Sequence, residues 1–278
     1  VDCMRPGAQE YYDSIFELYA QWGVDYVKVD DISFPYHGGE IELVHNAIEH
    51  SGRDIVLSLS CGPAPREKAE HLCRFANLWR TTGDFWDDWN DLYQAFEICH
   101  QWEGVGGPGH WPDADMLPFG HLALRSTERG WGDRWTHFTQ DEQIALMTLW
   151  CLFRSPLMVG AELNDNDEFT LNLLTNDEVL ALLSESRNAR QVYREERYNY
   201  AGEVIVWQAE NEQGETYCAV FNCGPKARKL AVQLSSALGL EGAYTGRDLW
   251  AHAEIPVGRA LEVEVPSHGA RLVKLTKK

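Results

Sequence analysis

Acidic side chains recur in this sequence at the points where short apolar runs end. In a parallel α/β sheet the carboxyl ends of the strands meet at one edge, and the reactive groups of barrel enzymes lie there. A cluster of carboxylates at that edge is suited to proton transfer and to nucleophilic attack. The acids concerned are Asp30, Asp31, Asp84, Asp113 and Asp115.

Two of these acids have a cation close by in the sequence. Lys28 precedes Asp30 by two residues, so both side chains face the same side of a strand. Arg80 lies in the run that leads into Asp84. Glycoside hydrolysis needs one carboxylate that stays ionised and a second that holds a proton for the leaving oxygen. A neighbouring cation favours the ionised form of the first.

Other interpretations of these residues are open at this point. An aspartate at a strand–helix junction can simply cap the next helix, which applies to Asp31, Asp113 and Asp115. Asp30 suits that role least, because a carboxylate that ends a buried strand loses hydration without capping anything. Tryptophan faces stack on sugar rings, but tryptophans also fill cores. Four indoles are expected with the acids at the mouth of the sheet: Trp79, Trp86, Trp89 and Trp111.

An alternation of helical and strand-like segments positions the acids. This alternation predicts a parallel sheet covered by helices, either open or closed into a barrel. About five strand–helix units are present, whereas a complete (β/α)8 barrel has eight, so we expect an incomplete TIM-type barrel. Strands are predicted over 24–31, 54–60, 76–84, 113–117 and 154–163. Helices are predicted over 8–22, 39–50, 65–75, 88–102, 139–153 (with a capping box from Thr139 to Glu142) and within 167–185.

The character of the sequence changes near residue 188. Segments such as VIVWQAE, TYCAVFN and LEVEV alternate or are rich in β-formers, and Gly and Pro turns separate them. About ninety residues of this kind is a typical size for a β-sandwich. We therefore predict two domains in an α/β-plus-all-β chain: the C-terminal portion of a (β/α) barrel over 1–187, and an antiparallel β-sandwich over 188–278.

Composition argues against several function classes. The 278 residues carry a net charge of −19, which repels nucleic-acid phosphates and anionic membranes, and no run approaches the roughly 20 apolar residues of a membrane span. The seven cysteines form no CxxC pair and the histidines no HExxH motif, so we expect reduced thiols, no metal and no other cofactor. The first residues lack a signal-peptide pattern. That favours the cytoplasm if Val1 is the natural start and leaves secretion open if sequence precedes it.

Four motifs together resemble the α-galactosidase-like enzymes of glycoside hydrolase family 27. They are WGVDYVKVDD, NLWRTTGDFWDDW, GPGHWPDADMLPFG and RSPLMVGAEL, and they occur in the family's order. The resemblance implies a retaining mechanism in which Asp30 is the nucleophile and Asp84 the general acid/base. It also implies that Lys28 and Arg80 contact the substrate. Further substrate contacts are expected from Asp31, Ser60, Cys61 and Trp111.

The implied substrate is an oligosaccharide or glycoconjugate that ends in an α-linked galactose-type residue. Galactose-specific members usually have Cys-Glu-Trp after the second of these strands, whereas this chain has Ser60-Cys61-Gly62. The missing carboxylate removes a charge-assisted hydrogen bond to the sugar 2-hydroxyl, worth about 1.5–3 kcal/mol, and opens space there. The resemblance therefore implies an α-galactosidase or α-N-acetylgalactosaminidase. The alternatives are a β-L-arabinopyranosidase, an isomalto-dextranase-like enzyme, and a carbohydrate-binding homologue without turnover.

The family's first three barrel strands have no counterpart in this sequence. By that alignment of motifs, Asp30 follows the family's fourth strand. An arc of about five strands exposes two edges, which favours self-association, so a homo-oligomer is a further expectation. We also expect this polypeptide on its own to be a weak catalyst.

Overall fold

The computed structural model describes residues 1–126, 132–195 and 203–278. The chain divides into two compact units. The first contains residues 1–85 and 105–115, and the second contains residues 86–104 and 116–278. Among the described residues, no helix combines the length and the apolar character needed to cross a membrane. Helices and strands are numbered in chain order through both units.

A four-stranded parallel sheet forms the centre of the first unit, and its strand order follows the chain. The predicted alternation of helices and strands is confirmed here, with shorter strands than the sequence predicts. The strands are β1 (Tyr26–Val29), β2 (Val56–Leu59), β3 (Leu78–Arg80) and β4 (Trp111–Asp113). The helices are α1 (Ala8–Trp22), α2 (Gly38–Ser51) and α3 (Ala69–Phe75), and a 3-10 turn (Arg66–Lys68) leads into α3.

The helices of this unit end and pack as their sequences dictate. In α2 the buried side chains are Ile41, Val44, Ala47 and Ile48, whose spacing places them on one helix face. Helix α1 ends at Gly23, whose φ of 76° lies in the left-handed region that glycine adopts without a steric penalty. The apolar face of α2 thus explains its packing, and Gly23 explains where α1 ends.

The strand register separates the sheet into an apolar face and a polar face. Val29 pairs with Leu59, which pairs with Trp79, and the last two are fully buried. Alternate residues of each strand point to the opposite side. There Lys28 pairs with Ser58, and Arg80 pairs with Asp113. We call this second side the polar face; it carries Lys28, Asp30, Ser58, Ser60, Arg80 and Asp113, with Leu78 and Trp111 between them.

The predicted strand over 113–117 is wrong in position. Strand β4 begins at Trp111 and ends at Asp113. Asp115 has a φ of 83°, and backbone in that region cannot continue a strand. Asp113 is therefore the last residue of its strand rather than the first.

The predicted strand over 154–163 is also wrong. In the second unit, Leu117 and Val159 form only an isolated parallel bridge. Arg154 has a φ of 62° and ends the preceding helix, and Pro156 has no N–H to donate to a ladder. The described residues thus contain four parallel strands and one bridge where the sequence predicts about five strands.

Helices of the second unit include one that is buried along most of its length. This helix, α5, starts with the predicted capping box, which is confirmed. Thr139 Oγ1 accepts the N–H of Glu142 at 3.2 Å, and the Glu142 carboxylate accepts the N–H of Thr139 at 2.8 Å. The helices are α4 (Trp89–Gln101), α5 (Gln140–Phe153), α6 (Glu168–Leu174), α7 (Asp177–Leu180) and α8 (Leu182–Glu185). A short antiparallel pair consists of β5 (His121–Leu122) and β6 (Arg134–Trp135).

Two antiparallel sheets complete the second unit. A six-stranded sheet has the order β12-β11-β14-β9-β8-β7, and β10 pairs with β13. Apolar residues of both sheets, including Val206, Val220, Val232 and Leu261, form one core cluster. The strands are β7 (Arg187–Arg194), β8 (Val204–Glu210), β9 (Thr216–Asn222), β10 (Arg228–Gln233), β11 (Tyr244–Asp248), β12 (Ala253–Ile255), β13 (Ala260–Val265) and β14 (Ala270–Lys277). One short helix, α9 (Leu234–Leu238), interrupts them. A domain boundary between residues 187 and 188 stays a prediction.

Candidate active site

The end of β1 presents a carboxylate beside a cation. Asp30 directly follows β1, and its Oδ1 lies 3.7 Å from Nζ of Lys28. The carboxylate is 64% exposed, so water screens this pair and its contribution to stability is about 0–1 kcal/mol. The pair therefore matters for where it puts an accessible carboxylate, and not for holding the fold together.

The end of β2 extends the hydrogen-bond ladder past both strands. The N–H of Ser60 donates to the carbonyl oxygen of Val29 at 2.9 Å, and the N–H of Ile32 donates to that of Ser60 at 3.1 Å. These two bonds fix the backbone on both sides of Asp30. Ser60 itself is fully buried, and its Oγ has no hydrogen-bond partner in the part of the chain that the structure describes.

The loops after β1 and β2 bond to each other. Ser33 Oγ donates to the carbonyl oxygen of Cys61 at 3.0 Å, and Cys61 Sγ lies 3.4 Å from Oδ1 of Asp31, to which the thiol donates. Asp31 has a φ of 56°, and the Ser60–Cys61 peptide bond is cis. Asp31 does not cap α2, whose N-cap is His37. The structure thus brings together Asp31 and Cys61, two of the residues predicted to contact substrate.

The end of β3 carries a second exposed carboxylate and a buried cation. Arg80 is 3% exposed, and its Nη2 lies 3.5 Å from Oδ1 of Asp84 and 2.5 Å from Oδ2 of Asp115. The same nitrogen donates to the carbonyl oxygen of Gly83. Asp84 is 72% exposed, so a ligand can reach its carboxylate.

The end of β4 carries a buried carboxyl group. Burial is the main cause that raises the pKa of Asp113 to about 6. The N–H of Asp115, which donates to Asp113 Oδ1 at 2.8 Å, and the charges of Arg80 and Lys28 oppose that rise in the pKa, whereas the Asp115 charge adds to it. The polar face thus contains a carboxyl group that takes up a proton close to neutral pH.

Sequence reasoning missed the pairing of Asp115 with Arg80. For Asp113 and Asp115 the sequence allowed either a helix-capping role or a role in catalysis. Neither side chain caps a helix in this structure. The register of Arg80 with Asp113 brings the ends of β3 and β4 together, and no local pattern encodes that register. The Asp-x-Asp spacing was the available signal, but it did not identify the cation.

Two of the four tryptophans near the acids belong to the first unit and two to the second. The expectation that Trp79 lies at the mouth of the sheet is wrong: it is fully buried on the apolar face, because it alternates with Arg80 along β3. Trp111 is partly buried and pairs with Leu78 on the polar face. Trp86 and Trp89 belong to the second unit, where the Trp89 ring stacks on His268 with 3.8 Å between ring centroids.

Two accessible carboxylates, each beside its own cation, therefore lie after β1 and β3 of one parallel sheet. Strand β2 lies between β1 and β3, so the axes of those two strands are roughly 9–10 Å apart. Paired carboxylates that flank a scissile bond are the requirement of glycoside hydrolysis.

Comparison with known protein families shows which family the chain belongs to. A family model described as "Alpha galactosidase A" matches residues 2–185. The chain belongs to this family, glycoside hydrolase family 27. A second model, "Alpha galactosidase C-terminal beta sandwich domain", matches residues 201–275. The predicted fold class, barrel-type α/β followed by a β-sandwich, is confirmed.

Individual members of family 27 resemble the chain over nearly its whole length. It is 28% identical over 285 residues to an α-galactosidase from Oryza sativa, covering 98% of this chain and 61% of that protein. A solved β-L-arabinopyranosidase from Geobacillus stearothermophilus is 49% identical with a TM-score of 0.93, covering 99% of this chain and 63% of that one. A solved Bacillus halodurans protein, described as a candidate α-N-acetylgalactosaminidase, is 43% identical with a TM-score of 0.84, covering 100% and 64%.

The chain is shorter than these family members. It spans 61% of the rice α-galactosidase and 65% of an α-galactosidase from Arabidopsis thaliana.

Proposed function

We propose that this protein is a retaining exo-glycosidase that hydrolyses terminal α-linked galactose-type residues by double displacement. Asp30 attacks the anomeric carbon and forms a covalent glycosyl-enzyme while the leaving oxygen departs. Asp84 protonates that oxygen and then removes a proton from the water that hydrolyses the intermediate. A retaining mechanism requires the two carboxyl groups about 5–5.5 Å apart across the bound sugar.

The observation that carries this proposal is the pairing of each exposed carboxylate with a cation on one polar face. Lys28 lies 3.7 Å from Asp30, and Arg80 lies 3.5 Å from Asp84. Membership of family 27 supports it, since the family models cover most of the chain.

The polar groups around the carboxylates are suited to sugar hydroxyls. Buried polar atoms normally have hydrogen-bond partners. In the described part of the chain, Ser60 Oγ and Arg80 Nε are buried without one. We assign Lys28, Arg80, Ser60 and Cys61 to substrate binding. Asp31 and Trp111 complete that assignment.

A second candidate is β-L-arabinopyranoside hydrolysis, favoured by the 49% identity to the Geobacillus β-L-arabinopyranosidase. This sugar shares the ring configuration of α-D-galactopyranose and lacks only the hydroxymethyl group at C5. The same pair of carboxylates serves both reactions, so the choice lies in the pocket around that group. Aryl α-galactoside, α-N-acetylgalactosaminide and β-L-arabinopyranoside, compared by kcat/KM, distinguish these specificities.

The test of the mechanism removes the carboxylate of the nucleophile, Asp30. Asp30→Asn is expected to lower hydrolysis of the preferred aryl glycoside by orders of magnitude, because no nucleophile remains. Asp54→Asn is the matched control, since Asp54 precedes β2 at the opposite end of the sheet and is exposed. Wild-type activity in Asp30→Asn would refute the assignment.

A second readout does not depend on fast turnover. A 5-fluoro-α-galactosyl fluoride slows hydrolysis of the glycosyl-enzyme, so the covalent adduct accumulates. Mass spectrometry of the digested protein is expected to place the sugar on Asp30. Wild-type protein that binds galactose but neither hydrolyses nor becomes labelled supports instead a carbohydrate-binding protein without turnover.

A further inference from the structure

The loop that carries Asp84 depends on other residues for its position. It follows β3 directly, and Asp84 is four residues beyond Arg80. Within the described residues, Nη2 of Arg80 lies 3.5 Å from Oδ1 of Asp84. An exposed aspartate with one long contact is not fixed by its own interactions. Proton transfer nevertheless requires its oxygen within hydrogen-bond reach of the leaving group.

Asp115 holds this loop on both sides of Asp84. Its Oδ2 lies 2.5 Å from Nη2 of Arg80, before the loop, and accepts the N–H of Phe85 at 2.8 Å, immediately after Asp84. A single carboxylate oxygen therefore bonds to both ends of a segment of four residues. Charge-assisted hydrogen bonds of this kind are stronger and more directional than neutral ones.

Asp115 is itself held by Asp113. The N–H of Asp115 donates to Oδ1 of Asp113 at 2.8 Å. The carbonyl oxygen of Asp113 accepts the N–H of Thr81 at 2.8 Å and the Thr81 hydroxyl at 3.1 Å. The end of β4 thus contacts the Asp84 loop at its start, through Thr81 and Arg80, and at its end, through Phe85.

We propose that Asp115 is a positioning residue, which places Asp84 for proton transfer and shares Arg80 with it. This inference rests on the proposed function, because it concerns the group that protonates the leaving oxygen. Asp115 was not among the residues assigned to catalysis or to substrate binding. It acts through Phe85 and Arg80 and not through the sugar.

The charges of the polar face set the direction of the expected effect. Arg80 is nearer to Asp115 than to Asp84, so its attraction to the Asp115 carboxylate is the stronger of the two. The other charged groups on this face are Asp113, Lys28 and Asp30. If Asp115 becomes neutral, Arg80 is left to pair with Asp84, and the ionised carboxylate is favoured. Less of the acid form is then present at a given pH.

The test compares leaving groups in Asp115→Asn, which keeps the shape of the side chain and removes its charge. A methyl α-glycoside needs protonation of its leaving oxygen, whereas a 2,4-dinitrophenyl α-glycoside needs little. We expect kcat/KM to fall about 10–100-fold for the methyl glycoside and less than about 3-fold for the dinitrophenyl glycoside, since general acid catalysis contributes about 10²–10⁴. The alkaline limb of the kcat/KM profile is expected to move to lower pH.

Two further variants define the limits of this comparison. Asp84→Ala removes the acid entirely and is expected to show the largest difference between the two leaving groups. Asp54→Asn removes an exposed carboxylate at the opposite end of the sheet and is expected to show no difference. Thermal unfolding of each variant confirms that the protein assayed is folded.

The outcomes separate the two proposals. Equal losses for both leaving groups in Asp115→Asn, with an unmoved alkaline limb, would show that Asp115 only supports the fold and would overturn this inference alone. Wild-type protein that hydrolyses neither glycoside and is not labelled on Asp30 by the 5-fluoro-α-galactosyl fluoride contradicts the proposed function, and the role of Asp115 in catalysis is refuted with it. A selective loss on the methyl glycoside supports both.

Discussion

The polar face of the parallel sheet and the core between the two antiparallel sheets contain buried side chains of opposite kinds. Arg80, Asp113 and Ser60 on the polar face are buried, as are the apolar Val206 and Val220 in the antiparallel core. Apolar burial stabilises by about 25 cal/mol per Å², whereas burying a charge costs free energy unless it is paired. The antiparallel core therefore stabilises the chain. On the polar face Arg80 is paired with Asp115, but burial raises the pKa of Asp113, so ionisation of Asp113 opposes folding.

The largest expected effect on stability is a truncation in the antiparallel part. Phe221 in β9 is almost fully buried, and its ring centroid lies 4.8 Å from that of Phe96 in α4. Phe221→Ala leaves a cavity and should lower the free energy of unfolding by about 3–5 kcal/mol, measured by urea denaturation. Tyr193→Ala, at a side chain that is 48% exposed, should change it by less than about 0.5 kcal/mol. Similar losses in both variants would show that burial in the antiparallel core is not what stabilises the chain.

The next effect is a pH dependence that comes from the polar face. The folded pKa of Asp113 is about 6, above the ordinary value of 3.8, so its contribution to stability is present below about pH 4 and is lost as the pH rises through 6. The loss amounts to about 3 kcal/mol. Asp113→Asn cannot ionise and should remove this part of the decline.

Urea denaturation at pH 4, 5, 6 and 7 checks this prediction. The wild-type protein and Asp113→Asn should differ in the slope of stability against pH and not in the denaturant dependence at any one pH. Asp54→Asn should keep the wild-type slope, since Asp54 is exposed. Parallel slopes for the wild type and Asp113→Asn would show that the polar face does not lower stability in this way.

The smallest expected loss of stability comes from a local hydrogen bond at the start of α5, which can be compared with the loss of core packing. Thr139→Ala removes the side chain that accepts the N–H of Glu142 at the start of α5, and should lower stability by about 1 kcal/mol. Thr139→Ser keeps the hydroxyl and should retain most of the stability. Thermal unfolding of the two variants measures the difference. A loss as large as that of Phe221→Ala would mean that the cap, and not the core, controls this helix.

Local patterns in the sequence predicted the elements better than their ends. The sequence predicted a helix over 39–50, close to α2, and the Thr139–Glu142 pair predicted the start of α5. A capping box acts within one helical turn. The strand near Asp113 was displaced because a left-handed residue ends it, and no propensity indicates a positive φ at an aspartate.

The sequence by itself determined which residues share a face and which carry charge. Period-two alternation placed Lys28 with Asp30, and the motifs of family 27 singled out Asp30 and Asp84 before any coordinates. These properties depend only on residues that are close together in the chain, so each strand can be interpreted without knowing its neighbours in the sheet.

Only the tertiary structure decided which groups meet across strands. The pairing of β3 with β4 brings Asp115 to Arg80, buries Asp113 enough to raise its pKa, and places Trp79 away from the polar face. Register, burial and the sharing of one guanidinium by two carboxylates depend on residues about thirty positions apart. The free energy of those contacts is set by packing, which no local pattern specifies.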